Sequence, residues 1–164
     1  MAAGHTVITE QDHARFMAIL ESLDREANAK FVFLLDKSGQ QIAATGDLDQ
    51  VDPTSLASLT AGNVAATEGV AQIVGEDEFT TLFHEGKHES LHITVVGGRV
   101  ILLVVFDERS SLGLVRLRVE QCAPQLGEVV KEMTARAEGG SQPGKDSANF
   151  GEITDADLDT LFGE

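Results

Sequence analysis

The sequence predicts one α+β domain in which five mostly antiparallel strands form a sheet with helices on both faces. Three observations support this fold class. Apolar residues recur at helical spacing in three places, two β-rich runs follow the first of them, and three more short runs follow the second. The predicted order is therefore helix, two strands, helix, three strands, helix. With 164 residues, the chain has room for one such domain and a tail.

The first predicted helix begins after Thr9, a suitable N-cap residue. Asp12 follows three residues later, in a weaker form of the capping box. Residues 30–36 (KFVFLLD) are β-rich without polar alternation, which is typical of a strand that is buried on both faces. Residues 41–45 are predicted to return as the second strand after a tight turn.

The second helix is predicted over residues 53–74, because Asp52 is a good cap and a proline occupies the first helical position. Three short strands follow, at about residues 78–84, 90–96 and 99–106. A Gly-Gly pair between the last two is a good signal for a two-residue hairpin turn.

The third helix is predicted from about residue 110 to residue 136, with Pro124 inside it. Because a proline removes one backbone hydrogen bond and clashes with the preceding turn, we expect a kink or a break there. The domain is therefore assigned to residues 1–137 and a flexible linker to residues 138–149. Residues 150–164 form an acidic, amphipathic C-terminal segment.

The charge balance points to a protein partner. Twelve basic residues against 27 acidic ones give a formal net charge of −15, which repels nucleic acid and anionic lipid. No apolar run approaches the length of a membrane helix, and the N-terminus lacks the pattern of a secretory signal. The single Cys122 cannot form an internal disulfide. The cytoplasm is the expected location.

Catalytic chemistry is not indicated by the sequence. His84, His88 and His92 fall across a predicted hairpin, where the three rings need not converge, so we expect exposed histidines rather than a metal site. The Gly-Gly pairs lack the strand-to-helix context of a phosphate loop. Cys122 has no cationic neighbour in sequence and is interpreted as a buried or half-buried, inert thiol. We predict neither a metal nor a cofactor, and no enzymatic activity of the chain's own.

The second helix carries the most informative surface. One side of the helical wheel is predicted to face the sheet: Leu56, Leu59, Ala66, Val70, Ile73 and Val74. The opposite side is lined mainly by small residues: Ala57, Ser58, Ala61, Gly62, Ala65 and Gly69. Only Glu68 and Gln72 bring long polar side chains to it. Glycine in a helix interior costs roughly 0.5–1 kcal/mol relative to alanine. Two glycines on this side therefore indicate that something approaches the helix backbone closely, which predicts a docking surface. The alternative is close packing under the domain's own loops or third helix.

The C-terminal segment is the second candidate for binding. Its apolar residues are spaced through acidic and polar ones: Phe150, Ile153, Leu158, Leu161 and Phe162. The last three share one helical face, while Asp155, Asp157 and Asp159 crowd the other side. A short amphipathic segment on a tether is typical of helix-in-groove recognition. The alternative is a tail that folds back on its own domain.

Several segments, together with the order of elements, resemble a bacterial group within the Roadblock family. They are residues 27–40 (ANAKFVFLLDKSGQ), 54–66 (TSLASLTAGNVAA), 83–86 (FHEG), 106–118 (FDERSSLGLVRLR) and the tail at 152–162 (EITDADLDTLF). The resemblance covers nearly the whole chain. It implies a Roadblock/longin-like sandwich and a homodimer whose sheets join edge to edge with the second helices side by side. Pro124 is a possible departure from the pattern.

The resemblance also implies a function. The chain would be a GTPase-activating protein for a small Ras-like GTPase that sets cell polarity and motility, concentrated at a cell pole, with one dimer on each GTPase. Such an activator supplies no arginine finger but reshapes the switch regions of the GTPase. The docking residues carried over are Ala57, Ala61, Ala65, Glu68, Gly69 and Gln72. The tail residues Phe150, Ile153, Leu158, Leu161 and Phe162 would bind a separate site and influence nucleotide exchange.

Two other functions stay open at this stage. A passive Roadblock scaffold would hold a GTPase or a motor component without changing its rate. A small-molecule sensor would need a pocket with converging polar groups, which the apolar strands at residues 30–36 and 99–106 hardly offer.

Overall fold

The computed structural model describes residues 7–139. The predicted fold class and order of elements are confirmed: three helices and five strands form an α+β domain. The helices are α1 (Glu10–Glu26), α2 (Pro53–Val74) and α3 (Leu112–Gly139). The strands are β1 (Phe31–Asp36), β2 (Gln41–Gly46), β3 (Thr81–Glu85), β4 (Ser90–Val96) and β5 (Val100–Phe106). The sheet has the order β2-β1-β5-β4-β3, and every neighbouring pair is antiparallel.

Local signals fix the ends of these elements. At the start of α1, the Thr9 hydroxyl accepts a hydrogen bond from the Asp12 amide at 3.1 Å, and the Asp12 carboxylate accepts one from the Thr9 amide at 3.0 Å. Both reciprocal bonds of a capping box are therefore present, which confirms the weaker form predicted from the sequence. The turn between β4 and β5 places Gly97 and Gly98 at φ values of +62° and +66°, which other residues rarely adopt.

Two hydrophobic layers lie on opposite faces of the sheet. The layer beneath α1 and α3 contains large side chains such as Phe16, Leu20 and Leu126. The layer beneath α2 contains Phe33 and Leu103 from the central strands. Strand β1 alternates its side chains between the two layers, as expected of a strand buried on both faces.

Several element ends differ from the prediction by one to three residues. The largest shifts are the start of β3 at Thr81 rather than near residue 78 and the end of α3 at Gly139 rather than residue 136. Of the kink or break expected at Pro124, the break does not occur, because α3 continues through this residue. Pro124 and Glu120 lie on the exposed side of α3, where water can hydrate the carbonyl of Glu120 that loses its amide partner.

Candidate protein-docking surface

The side of α2 that points away from the sheet is apolar and exposed. Leu59 and Ile73 are 74% and 85% exposed, and Val70 and Val74 are more than half exposed. These four make up most of the seven large exposed hydrophobic side chains within residues 7–139. We call this side the α2 surface, which comprises Leu59, Gly62, Ala65, Ala66, Gly69, Val70, Gln72, Ile73 and Val74. Contiguous apolar patches on protein surfaces are typical of interaction sites.

The helical wheel had assigned much of this helix to the wrong side. Five residues predicted to face the sheet are exposed instead: Leu59, Ala66, Val70, Ile73 and Val74. Conversely, Ala57 and Ala61 were predicted to lie on the docking side but are only 1% and 7% exposed. They face the sheet together with Thr60, Val64 and Ala71. The prediction that Ala57 and Ala61 point outward is therefore wrong.

Close packing against the domain's own elements explains this correction. An added Cβ at Gly39, in the turn between β1 and β2, would lie 3.2 Å from the Cα of Ser58 and 3.6 Å from the Cβ of Ala61. The turn therefore lies directly on the first half of α2. Small side chains at Ala57 and Ala61 let the helix approach both this turn and the sheet. For Ala57 and Ala61, the alternative of internal packing is the correct one.

The other four predicted docking residues remain accessible to different degrees. Ala65, Gly69 and Gln72 are exposed on the α2 surface. Glu68 is half-buried, and its Oε1 accepts a hydrogen bond from Nζ of Lys37 at 2.6 Å. Glu68 thus connects α2 to the turn between β1 and β2, at the border of the exposed side.

Two glycines on the α2 surface have no packing role within the described part of the chain. An added Cβ at Gly62 or Gly69 would meet no atom of residues 7–139 within 4 Å. Alanine would therefore fit at both positions and would favour the helix by roughly 0.5–1 kcal/mol each. Glycines in such positions allow another backbone to approach closely. This favours a docked helix over a solvated face.

One edge of the sheet, strand β3, lies beside this surface. Among the described residues β3 pairs with β4 alone, and most of its side chains are exposed. Nδ2 of Asn63 on α2 lies 3.3 Å from Nε2 of His84 on β3. An unpaired strand edge offers backbone donors and acceptors to a second chain. The edge and the α2 surface can therefore contribute to one interface, and sequence reasoning from the residues alone had not singled out the edge.

The histidine segment brings no metal-binding group together. Within the described residues, no cluster of three or more His, Cys, Asp or Glu side chains could hold a metal ion. His84 and His88 are exposed as predicted, but His92 is buried, so the prediction is wrong for His92. Burial, with the nearby Arg116, lowers the pKa of His92, which favours its neutral form.

Cys122 is half-buried, as predicted from its sequence surroundings. Burial raises the pKa of its thiol to about 11. The thiol is therefore protonated at neutral pH and a poor nucleophile. The predicted binding residues of the tail, Phe150 to Phe162, lie outside the described residues.

Residues 16–106, more than half of the chain, match the Roadblock/LC7 domain. The chain belongs to the Roadblock/LC7 family. The resemblance seen in the sequence is thereby confirmed.

Solved structures refine this family assignment. Myxococcus xanthus MglB is 49% identical, with a TM-score of 0.74 over 77% of this chain and 96% of that one. The gliding protein MglB from Thermus thermophilus is 31% identical, with a TM-score of 0.71 and the same coverage. A structure described as MglB with tetrameric arrangement is also 31% identical, with a TM-score of 0.73 and the same coverage. The chain is thus a close structural relative of MglB.

Curated protein sequences give no match to the chain. Within residues 7–139 of this Roadblock/LC7 protein, no helix is both long and apolar enough to span a membrane.

Proposed function

We propose that this Roadblock/LC7 protein is a homodimeric activator of an MglA-like small Ras-like GTPase in bacterial cell polarity and motility. The observation that carries the proposal is the exposed apolar α2 surface, with two glycines that internal packing does not require. This surface belongs to a domain that is 49% identical to MglB, which supports a GTPase as the partner. The chain itself is not an enzyme in this proposal.

The proposed dimer joins two copies through the β3 edges, with the two α2 helices side by side. A homologue's tetrameric arrangement is consistent with self-association in this group. One dimer would bind one GTPase through the combined α2 surfaces. Ala65, Gly69 and Gln72 would contact a partner directly, with Glu68 at the border. Ala57 and Ala61 would act from beneath, by holding α2 close to the sheet.

The activation would rely on the catalytic groups of the GTPase. Ras-like enzymes hydrolyse GTP slowly, and completing the electrostatics around the γ-phosphate can add about 10³–10⁵ in rate. In the proposed mechanism, the dimer inserts no arginine. It instead holds the switch regions in the conformation that brings the GTPase's own residues into place. A net charge of −15 favours a basic surface on that GTPase.

A single-turnover assay tests the proposal. The purified protein alone should hydrolyse no GTP, whereas its cognate GTPase should hydrolyse GTP faster when the protein is added. Co-purification with the GTPase loaded with a GTP analogue or with GDP measures which state is bound. Binding without acceleration would contradict activation and would favour the second candidate, a passive Roadblock scaffold. The family assignment keeps this scaffold as an alternative.

The C-terminal segment has a separate role in the proposal. Residues 150–162 would bind a second site on the GTPase and influence nucleotide exchange. Deletion after Ala148 should then leave folding intact and change either affinity or the exchange rate. Equal binding and equal exchange with and without the segment would contradict this role. The whole protein would act in the cytoplasm, concentrated at a cell pole with its GTPase.

A further inference from the structure

A cavity of about 660 Å³ lies at one end of the sheet, beneath the last turns of α3. The cavity is lined by apolar side chains from three parts of the chain. They include Ile42 on β2, Met133 on α3 and Ile8, which precedes the N-cap of α1. Lys37 from the β1–β2 turn and Arg99 from the β4–β5 turn stand among its lining residues. The cavity thus combines apolar walls with two cationic side chains.

The cavity is on the opposite side of the domain from the α2 surface. Ile42 and Met133 belong to the hydrophobic layer beneath α1 and α3, whereas α2 covers the other face of the sheet. Its size falls in the range of cavities that hold an organic ligand or several side chains. A segment bound in it would leave the α2 surface uncovered.

The position of the chain beyond α3 suggests which segment reaches the cavity. Met133 lines the cavity, and α3 ends at Gly139, which is about 9 Å further along the helix axis. Ten residues, 140–149, separate this end from Phe150. Because ten residues can span up to about 33–36 Å, the chain can reverse direction and bring the segment after Phe150 back to the cavity.

The chemistry of that segment complements the cavity. Leu158, Leu161 and Phe162 share one helical face and would match the apolar walls. Asp157 and Asp159 lie on the two flanks of this face, where each could pair with a cation at the rim.

The two cations at the rim, Lys37 and Arg99, differ in the ion pairs that they already form. Arg99 is exposed and forms no ion pair with any carboxylate of residues 7–139. Lys37 already pairs with Glu68, and its Nζ also lies 4.0 Å from Oε2 of Glu78. Asp36 lines the cavity too, but its Oδ1 accepts hydrogen bonds from the amides of Ser38 and Gln40 at 3.0 Å. Arg99 is therefore the cation most available to an acidic segment.

We propose that this cavity binds the C-terminal segment, residues 150–162, of the same chain when no partner is bound. The inference concerns the protein alone and does not depend on the activation of a GTPase. Binding of an acidic side chain to Lys37 would compete with Glu68, which lies at the border of the α2 surface. The cavity and the α2 surface would therefore be coupled through one lysine.

The methionine methyl groups offer a direct test on the full chain. The chain has three methionines, at positions 1, 17 and 133. Met133 lies in the cavity, whereas Met17 on α1 is packed against the core and serves as an internal reference. In a spectrum of protein labelled at the methionine methyl carbons, the double variant L161S/F162S should shift the signal of Met133 and leave that of Met17 in place. M133L identifies the signal.

A charge reversal provides a second, independent variant. R99E should move the Met133 signal toward its position in L161S/F162S, because the rim then repels the segment. K87E is the matched control, since Lys87 is an exposed cation outside the cavity. This control should leave the signal of Met133 unchanged.

Two results would overturn the proposal. An identical Met133 signal in the wild-type chain and in L161S/F162S would show that the segment does not occupy the cavity. The second result concerns a mixture of labelled L161S/F162S chain with excess unlabelled wild-type chain. If this mixture restores the wild-type signal, the segment comes from a second copy and not from the same chain. Neither result bears on whether the protein accelerates a GTPase.

Discussion

On one face of the sheet, two helices pack over large side chains; on the other, α2 is the single helix within residues 7–139. Phe16, Leu20 and Leu126 are fully buried beneath α1 and α3. Beneath α2, alanines such as Ala57 and Ala61 occupy the contact, and α2 turns Leu59 and Ile73 toward solvent. The two faces therefore differ in exposure. The first is covered by the chain's own helices, whereas the second leaves apolar side chains of α2 exposed.

The largest difference between the faces is expected from an arginine placed on each. Gly69 and Gly113 are both exposed helical glycines with no atom within 4 Å of an added Cβ, but Gly113 lies on α3. G69R should abolish stimulation of the GTPase, a loss of about 10³-fold or more, because a long charged side chain keeps a partner off the α2 surface. G113R should leave stimulation unchanged. Single-turnover hydrolysis measures both.

Folding is the control for this pair. Thermal unfolding should be similar for the two variants, since arginine is a better helix former than glycine. If G69R stimulates as well as the wild-type chain, the α2 surface is not the docking site. If G113R loses activity too, the difference between the faces disappears.

The order of elements could be predicted because each signal for it is local. The Thr9–Asp12 capping box, the proline at position 53 and the Gly97-Gly98 turn act within a few residues. The side of α2 that faces the sheet could not be predicted this way. Its residues are apolar or small on both sides, so hydrophobicity alone does not choose between them. The choice depends on how closely the helix must approach the β1–β2 turn, which is a tertiary contact.

Truncation of a leucine to alanine should lower the stability of the single chain strongly on one face and hardly at all on the other. L126A removes a fully buried side chain beneath α3 and should lower the free energy of unfolding by about 2–5 kcal/mol. L59A removes an exposed side chain on α2 and should change the unfolding of the single chain by less than about 0.5 kcal/mol. Urea unfolding at low protein concentration measures this difference.

Self-association distinguishes the two leucines a second time. Sedimentation equilibrium should show weaker dimerisation for L59A, because the α2 surface loses apolar area. Folded L126A should retain the wild-type association. Equal unfolding free energies for L59A and L126A would contradict the division of roles between the faces.

Enlarging an alanine on each side of α2 tests the corrected orientation of that helix. Ala61 faces the sheet and Ala65 faces solvent. A61L should destabilise the domain by about 1–3 kcal/mol, because the packed interface has no room for a larger side chain. A65L should change the free energy of unfolding by less than about 0.5 kcal/mol. A destabilised A65L with an unchanged A61L would restore the orientation that the helical wheel had predicted.

The last effect on stability comes from a charged side chain on the face of the sheet that α1 and α3 cover. Asp12 is buried at the start of α1, and its carboxylate pairs with Arg136 of α3. Burial alone would raise the pKa of Asp12, but the hydrogen bonds from Arg136 and from the Thr9 amide lower it below the ordinary value of 3.8. The ionised carboxylate therefore joins the two helices that cover this face.

The sign of the pH dependence follows from that lowered pKa. The contribution of Asp12 is complete above the unfolded-state pKa and is lost as the pH falls through the lower folded-state pKa. D12N should cost about 1 kcal/mol at neutral pH, the net contribution of a typical intramolecular hydrogen bond, because the amide cannot keep the charged pair with Arg136. The difference from the wild-type chain should shrink once the pH is below 3.8. E10Q, in the same first turn but exposed, is the matched control and should change little. A D12N deficit that stays constant with pH would mean that packing, and not the charge, joins α1 to α3.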